Sequence, residues 1–181
     1  MKDWLYYRIY AEPHQKWYHD LLEEVVKPFI SENEKMIESF FFFHYHHPYG
    51  VKPWDEIEAH EPKFKQGEEV WFIRLRVLAE KSNLKTLEES LNKFIGTSKT
   101  AFEHEKCTYN EKGDLGGRFG EVRREFVRKY LEYASKIALS LLDEPRDQKY
   151  FEKVMGLMHL PANMFEFNIL ISCEDKVLFQ F

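Results

Sequence analysis

Arg74 and Arg76 stand two residues apart in Val70-Trp71-Phe72-Ile73-Arg74-Leu75-Arg76-Val77, a run of β-branched, aromatic and aliphatic residues. Its odd positions (Trp71, Ile73, Leu75, Val77) are all apolar. Period-two alternation of this kind sets one row into a core and the other on the opposite face of a sheet. Two guanidinium groups side by side repel, and a chain keeps such a pair more readily where something anionic sits. Trp4-Leu5-Tyr6-Tyr7-Arg8-Ile9-Tyr10 alternates in the same way. If the odd faces of both runs pack under helices, the even faces carry Tyr6, Arg8, Tyr10, Arg74 and Arg76 together, with His44 and His46 placed near them. Arginine offers a fixed fork of donors that pairs bidentately with carboxylate or phosphate, so an anionic guest is the natural one. The plainer alternative is surface arginines paired with some of the 31 acidic residues.

Other residues with chemistry are less sharply placed. Histidines two apart on a strand share a face, so His44 and His46 could ligate zinc with a third partner such as His60 or His104. Nothing supplies that partner at diagnostic spacing, and neither a metal nor a cofactor is expected. Gly113, Gly116, Gly117 and Gly120 precede a helix, but their spacing misses the phosphate-cradling patterns. A turn feeding a helix is the expectation there, and no nucleophile motif of the G-x-S-x-G kind is present. His159 is a candidate acid or base because imidazole titrates near neutral pH. It equally suits a capping or core histidine.

Composition narrows the class. A chain of 181 residues with 44% apolar content and 16 phenylalanines can bury a core without disulfides or metal. No apolar run is long enough for a membrane span, and Phe40 to Phe43 is far too short. Cys107 and Cys173 lack metal or redox spacing, so a reducing cytoplasm is the default. The net charge of −5 disfavours a nonspecific nucleic-acid binder.

The elements that must position these residues follow the same patterns. After the first strand, His14 to about Asn33 is predicted as a helix with Trp17, Leu21, Val25 and Phe29 at four-residue steps, kinked or ended by Pro28. Met36 to His46 reads as an aromatic central strand. A long charged excursion over about 48–69 precedes the arginine strand. Leu84, Leu87, Leu91 and Phe94 form the stripe of a helix stopped at Gly96. Ala101 to Tyr109 is ambiguous, an edge strand at most. Glu121 to Leu142 is the longest helix, its inner stripe being Phe126, Tyr130, Tyr133, Ile137 and Leu141. A helix over 147–159 and a terminal hairpin close the chain. The order favours one α+β domain of ferredoxin-like character over 1–181, a mostly antiparallel sheet with helices on one face.

Several of these pieces, in this order, resemble the C-terminal elimination domain of lantibiotic dehydratases and the related thiopeptide-type bacteriocin biosynthesis proteins. Trp4 to Tyr10 is similar to that family's W-L-Y-basic-aliphatic-Y strand, and Phe40 to Tyr45 to its W-F-F-I-R-Y strand. Trp71 to Arg76 resembles its H-[LI]-R-[LV]-R strand. Tyr109, Glu111 and Arg118-Phe119-Gly120 resemble Y-x-x-E…R-Y-G-G, and His159 with Asn163 resembles H-x-x-x-N. The resemblance implies a lyase that removes glutamate from a glutamylated Ser or Thr of a precursor peptide, leaving a dehydroamino acid; relatives instead join two dehydroalanines. It implies Arg8, Arg74 and Arg76 as binders of the glutamate carboxylate or the developing enolate. His159 is the implied proton donor or acceptor; Arg118 and Asn163 of these motifs, with Tyr6, Tyr10 and His44 from the alternating faces, are the expected substrate contacts. The implied partners are the modified precursor peptide and a separate glutamylating enzyme, and a homodimer stays open. The chain departs from the family in its 48–69 insertion, in Trp71 or Phe72 where the family has His, and in Pro161 inside the H-x-x-x-N. A non-catalytic module holding an acidic peptide on the Arg/Tyr face is the alternative. A single-stranded RNA binder stacking bases on the sheet is a third reading.

Overall fold

Four alternating runs pair into one antiparallel sheet in the computed structural model, which describes residues 1–11, 17–48, 67–109 and 120–144. The strands β1 (Lys2–Ala11), β2 (Ile37–Pro48), β3 (Glu69–Glu80) and β4 (Glu103–Lys106) stand in the order β2-β3-β1-β4. The arginine strand β3 is therefore interior, paired with β1 on one side and β2 on the other. The ambiguous stretch from Ala101 to Tyr109 supplies the short edge strand against β1. The fold is α+β, as its order of elements suggests.

Between β1 and β2 the chain runs through α1 (Trp17–Leu21), a π-helical turn (Leu22–Val26) and α2 (Lys27–Glu32) without a break. Pro28 does not end this run, which continues to Glu32. Proline lacks a donor and crowds the carbonyl four residues back. A wider π turn lies immediately before it, where the backbone can open around the ring, and Pro28 stands at the start of α2. Asn33 terminates the run: its Nδ2 donates to the Phe29 carbonyl and to Ser90 Oγ, both at 2.8 Å. The second bond ties the end of α2 to α3 (Leu84–Thr97).

Gly96, expected as the stop of α3, lies inside the helix instead. The last carbonyls are satisfied by hydroxyls, with Thr97 Oγ1 donating to Lys93 (2.8 Å) and Ser98 Oγ to Ile95 (2.7 Å). A positive-φ glycine is then unnecessary.

The helices bury their stripes on one sheet face. Leu5, Tyr7 and Ile9 of β1, Ile73, Leu75 and Val77 of β3, and Phe40 and Phe42 of β2 meet Leu21, Val25 and Phe29 from one helical run and Leu87, Leu91 and Ile95 from the other. Leu91 is fully buried at the centre of this layer. Its replacement by Ala should cost about 2–5 kcal/mol, read as a shift in the urea midpoint.

The long helix, α4 (Glu121–Leu141), departs from its expected orientation. Phe126 and Tyr133 of its apolar stripe are each 59% exposed. The inward face is instead Glu132, Ser135 and Leu139. The reason lies in what α4 covers. It runs beside the outer edge of β2, which pairs with no further strand among the described residues, and an edge needs hydrogen-bond partners more than apolar ones. Ser135 Oγ accepts the Phe42 N–H at 3.1 Å, and Ser39 Oγ donates to Glu132 at 2.8 Å. Ser135→Ala would strand a buried donor and should cost about 1–3 kcal/mol in a denaturant melt.

Residues Met1–Leu142 form one compact unit. Most of the charged excursion, the glycine-rich turn, the helix over 147–159 and the terminal hairpin lie outside the described residues.

Candidate functional site: a buried arginine face

The face of the sheet turned away from the helices carries the arginines, and register explains how they meet. Arg76 stands between Tyr6 of β1 and Phe41 of β2, while Arg74 stands between Arg8 and Phe43. On the far side of Arg8 lies Glu105 of β4, and Tyr10 stands opposite Phe72. Alternation in β1 and β3 thus brings Tyr6, Arg8, Tyr10, Arg74 and Arg76 together. They are not surface arginines: Arg8 and Arg74 are 2% exposed and Arg76 1%.

Burying three guanidinium groups on one face is costly unless their charge is met locally. Aromatic rings meet part of it. The Arg76 guanidinium carbon lies 4.2 Å from the Tyr109 ring centroid and 4.8 Å from that of Tyr6, with Phe41 at 5.5 Å and Phe43 at 5.8 Å. The negative faces of the rings attract the cation. The cage is braced from outside by Trp4, edge-on to both Phe41 and Tyr109. Arg8 and Arg74 share the Phe72 ring, at 5.6 and 5.8 Å.

Glu105 meets another part. Like charges directly across a ladder destabilise it, and Arg8 faces Arg74. The Glu105 carboxylate, 1% exposed, closes that row on the other side. It also accepts the Tyr10 hydroxyl at 3.0 Å. Burial first, and then the neighbouring Glu105 charge, hold the Tyr10 phenol far above its ordinary range, with Arg8 pulling the other way. Tyr10 is a fixed donor at any physiological pH. Arg8 Nε in turn donates to Tyr6 Oη, at 3.5 Å. The Arg8 fork is thus held between the Tyr6 and Tyr10 phenols. Such a row can bind a carboxylate, or stabilise an oxyanion without reorganising.

Glu105 was not singled out by sequence reasoning, and Phe72 only as a position where the family has His. Glu105 lies in a strand of four residues, too short for alternation to declare a face. Tyr109 entered only through the family resemblance, and its ring proves to be the nearest wall of the Arg76 cage.

His44 requires a correction. Because Phe41 and Phe43 are the residues of β2 registered with Arg76 and Arg74, His44 alternates to the other face of the sheet. There it lies between Trp71 (5.4 Å, 19° between planes) and Tyr18 (5.1 Å). It is exposed, and it is not in the arginine row. Arg118, His159 and Asn163 lie outside the described residues, as does His60. Among the described residues no three His, Cys, Asp or Glu side chains gather as a metal-holding group. No helix among them is long and apolar enough to cross a membrane.

Burial pushes the Tyr18 phenol up to about 12. The folded state holds its proton while the unfolded chain releases it near pH 10. The resulting stability is complete below about pH 10 and is lost as the pH climbs toward 12. Tyr10, shifted the same way, adds to this loss. Tyr18→Phe should therefore flatten the alkaline fall of the urea midpoint between about pH 10 and 12.

No curated protein matches the chain. Residues 4–51, which span β1, the first helical run and β2, match the family described as the C-terminal part of the lantibiotic biosynthesis dehydratases. The matched stretch is similar to that family over the strand that carries Tyr6, Arg8 and Tyr10 and over the strand whose Phe41 and Phe43 stand beside Arg76 and Arg74.

Proposed function

We propose that the chain is a lyase acting on a glutamylated precursor peptide, eliminating glutamate from a modified Ser or Thr. The observation that supports this reading is the convergence of Arg8, Arg74 and Arg76 on one buried row between phenols. In the reaction a base removes the α-proton of the glutamylated residue. The Cβ–O bond then breaks and glutamate leaves as its carboxylate, so the residue becomes a dehydroamino acid. Elimination needs a cation where oxyanion character develops and another at the departing carboxylate. Arg74 and Arg8 take those parts in this reading. Arg76, enclosed by rings, sets the geometry of the row, and His159 moves the proton. Arg118 and Asn163 are proposed peptide contacts. The setting is the cytoplasm, with a separate glutamylating enzyme supplying the substrate.

The test is a synthetic peptide bearing a glutamyl ester on one Ser, incubated with the purified protein and followed by mass spectrometry. Loss of glutamic acid to give dehydroalanine is the expected result. Binding without any product would leave a module that only holds an acidic peptide, a role the ring-enclosed Arg76 also suits.

A further inference from the structure

Glu105 is the one buried acid among the described residues, and it stands at the end of a row of cations. Across the sheet that row reads Glu105, Arg8, Arg74, so Glu105 is the direct cross-strand neighbour of Arg8. One phenol joins the two: Tyr10 Oη donates to Glu105 Oε2 at 3.0 Å and accepts from Arg8. Groups of opposite charge that share a single oxygen lie close enough to govern each other.

A strand of four residues does not by itself hold a side chain in place. β4 is anchored further. On its helix side Lys106 Nζ pairs with Glu88 Oε2 of α3 at 2.9 Å, and Glu88 Oε1 accepts the Tyr7 hydroxyl at 3.1 Å. His104 stacks on the Tyr7 ring, 5.8 Å between centroids. Past the end of the strand the Cys107 N–H donates to the Tyr6 carbonyl at 2.9 Å. Alternation then turns Glu105 to the opposite face, toward the arginines.

We propose that Glu105 is a positioning residue of the anion site, a resident counter-ion that competes with a guest carboxylate for Arg8 and so sets how tightly the row holds it. The inference rests on reading the row as an anion site and adds to it the control of affinity. A buried cation calls for a counter-charge before any guest arrives. A guest that enters beside Arg8 then meets a second carboxylate, and two carboxylates at one guanidinium repel. Glu105 therefore loosens the hold on a single carboxylate, which suits a site that must release glutamate after each elimination. If Glu105 only braced β4 and Tyr10, loss of its charge would weaken binding; as a competitor, its loss strengthens it.

Glu105→Gln discards the charge while keeping the shape and an acceptor for Tyr10. Calorimetric titration of the full chain would use two peptides, each acylated on the side-chain amine of a diaminopropionate residue, so that an amide replaces the eliminable ester. One carries glutamate and the other glutamine, its neutral isostere. Glu105→Gln is expected to bind the glutamyl peptide about 10-fold tighter than wild type, the order of one unit charge removed from a few ångströms away, and to change the glutaminyl affinity less than about 2-fold. Glu105→Asp keeps the charge but draws it back; it should fall between the two and decides the matter if Glu105→Gln does not fold. A wild type that prefers the glutamyl peptide, with no gain on substitution, would overturn the role of Glu105 and leave the anion site standing. A preference present in Glu105→Gln and absent from wild type would support the role while removing glutamate as the native guest. No preference in any of the proteins would overturn both.

Discussion

Arg76→Ala is expected to cost the fold about 3 kcal/mol or more, an effect on the scale of removing a large core side chain. The residue is charged, yet it is 1% exposed and is gripped by the rings of Tyr6, Tyr109, Phe41 and Phe43. Alanine would leave a cavity walled by aromatics and would remove the attraction of a cation to several ring faces. Arg76→Met separates these contributions. It refills the space occupied by the stem while discarding the charge, so it should recover more than half of the loss. Urea denaturation of the two variants beside wild type decides the matter. An Arg76→Ala protein within about 0.5 kcal/mol of wild type would show that the guanidinium is not enclosed.

The second large effect concerns turnover. A positioned acid or base contributes about 10²–10⁴-fold to proton transfer. His159→Ala should therefore lower the rate of dehydroalanine formation by roughly that factor while affinity for the glutamylated peptide is retained. Single-turnover rates and calorimetric titration, run on the same peptide, give the two numbers. A fall in affinity with an unchanged rate would make His159 a binding residue, and an unchanged rate and affinity would remove it from the site.

Much of the arginine row was legible because β1 and β3 alternate cleanly, and alternation fixes which side chains share a face of each strand. Register between strands is a different matter. The placement of His44 turned on the pairing of β2 with β3, which is irregular between Ile37 and Ser39. A shift of one residue exchanges the two faces of a strand, and nothing local in Phe40 to His46 announces it. For α4 the period was right and the direction was wrong. A stripe shows that a helix has an apolar side, not that this side meets the sheet. Here the neighbour is a strand edge whose need is for Ser135 and Glu132. Pro28 misled as an end of the helix for a third reason: a π turn precedes it and the run continues, and local sequence does not declare such a turn.

A carboxylate held by Arg8 and Arg74 is the centre of the proposed chemistry, and its recognition can be measured without turnover. Calorimetric titration would compare a glutamyl-Ser peptide with the same peptide carrying a neutral acyl group of equal length. The glutamyl form is expected to bind at least ~10-fold tighter, roughly the worth of one charge-assisted hydrogen bond pair. That preference should disappear in Arg74→Gln. Equal affinity for the charged and neutral peptides in the wild type would contradict the assignment of this row as an anion site.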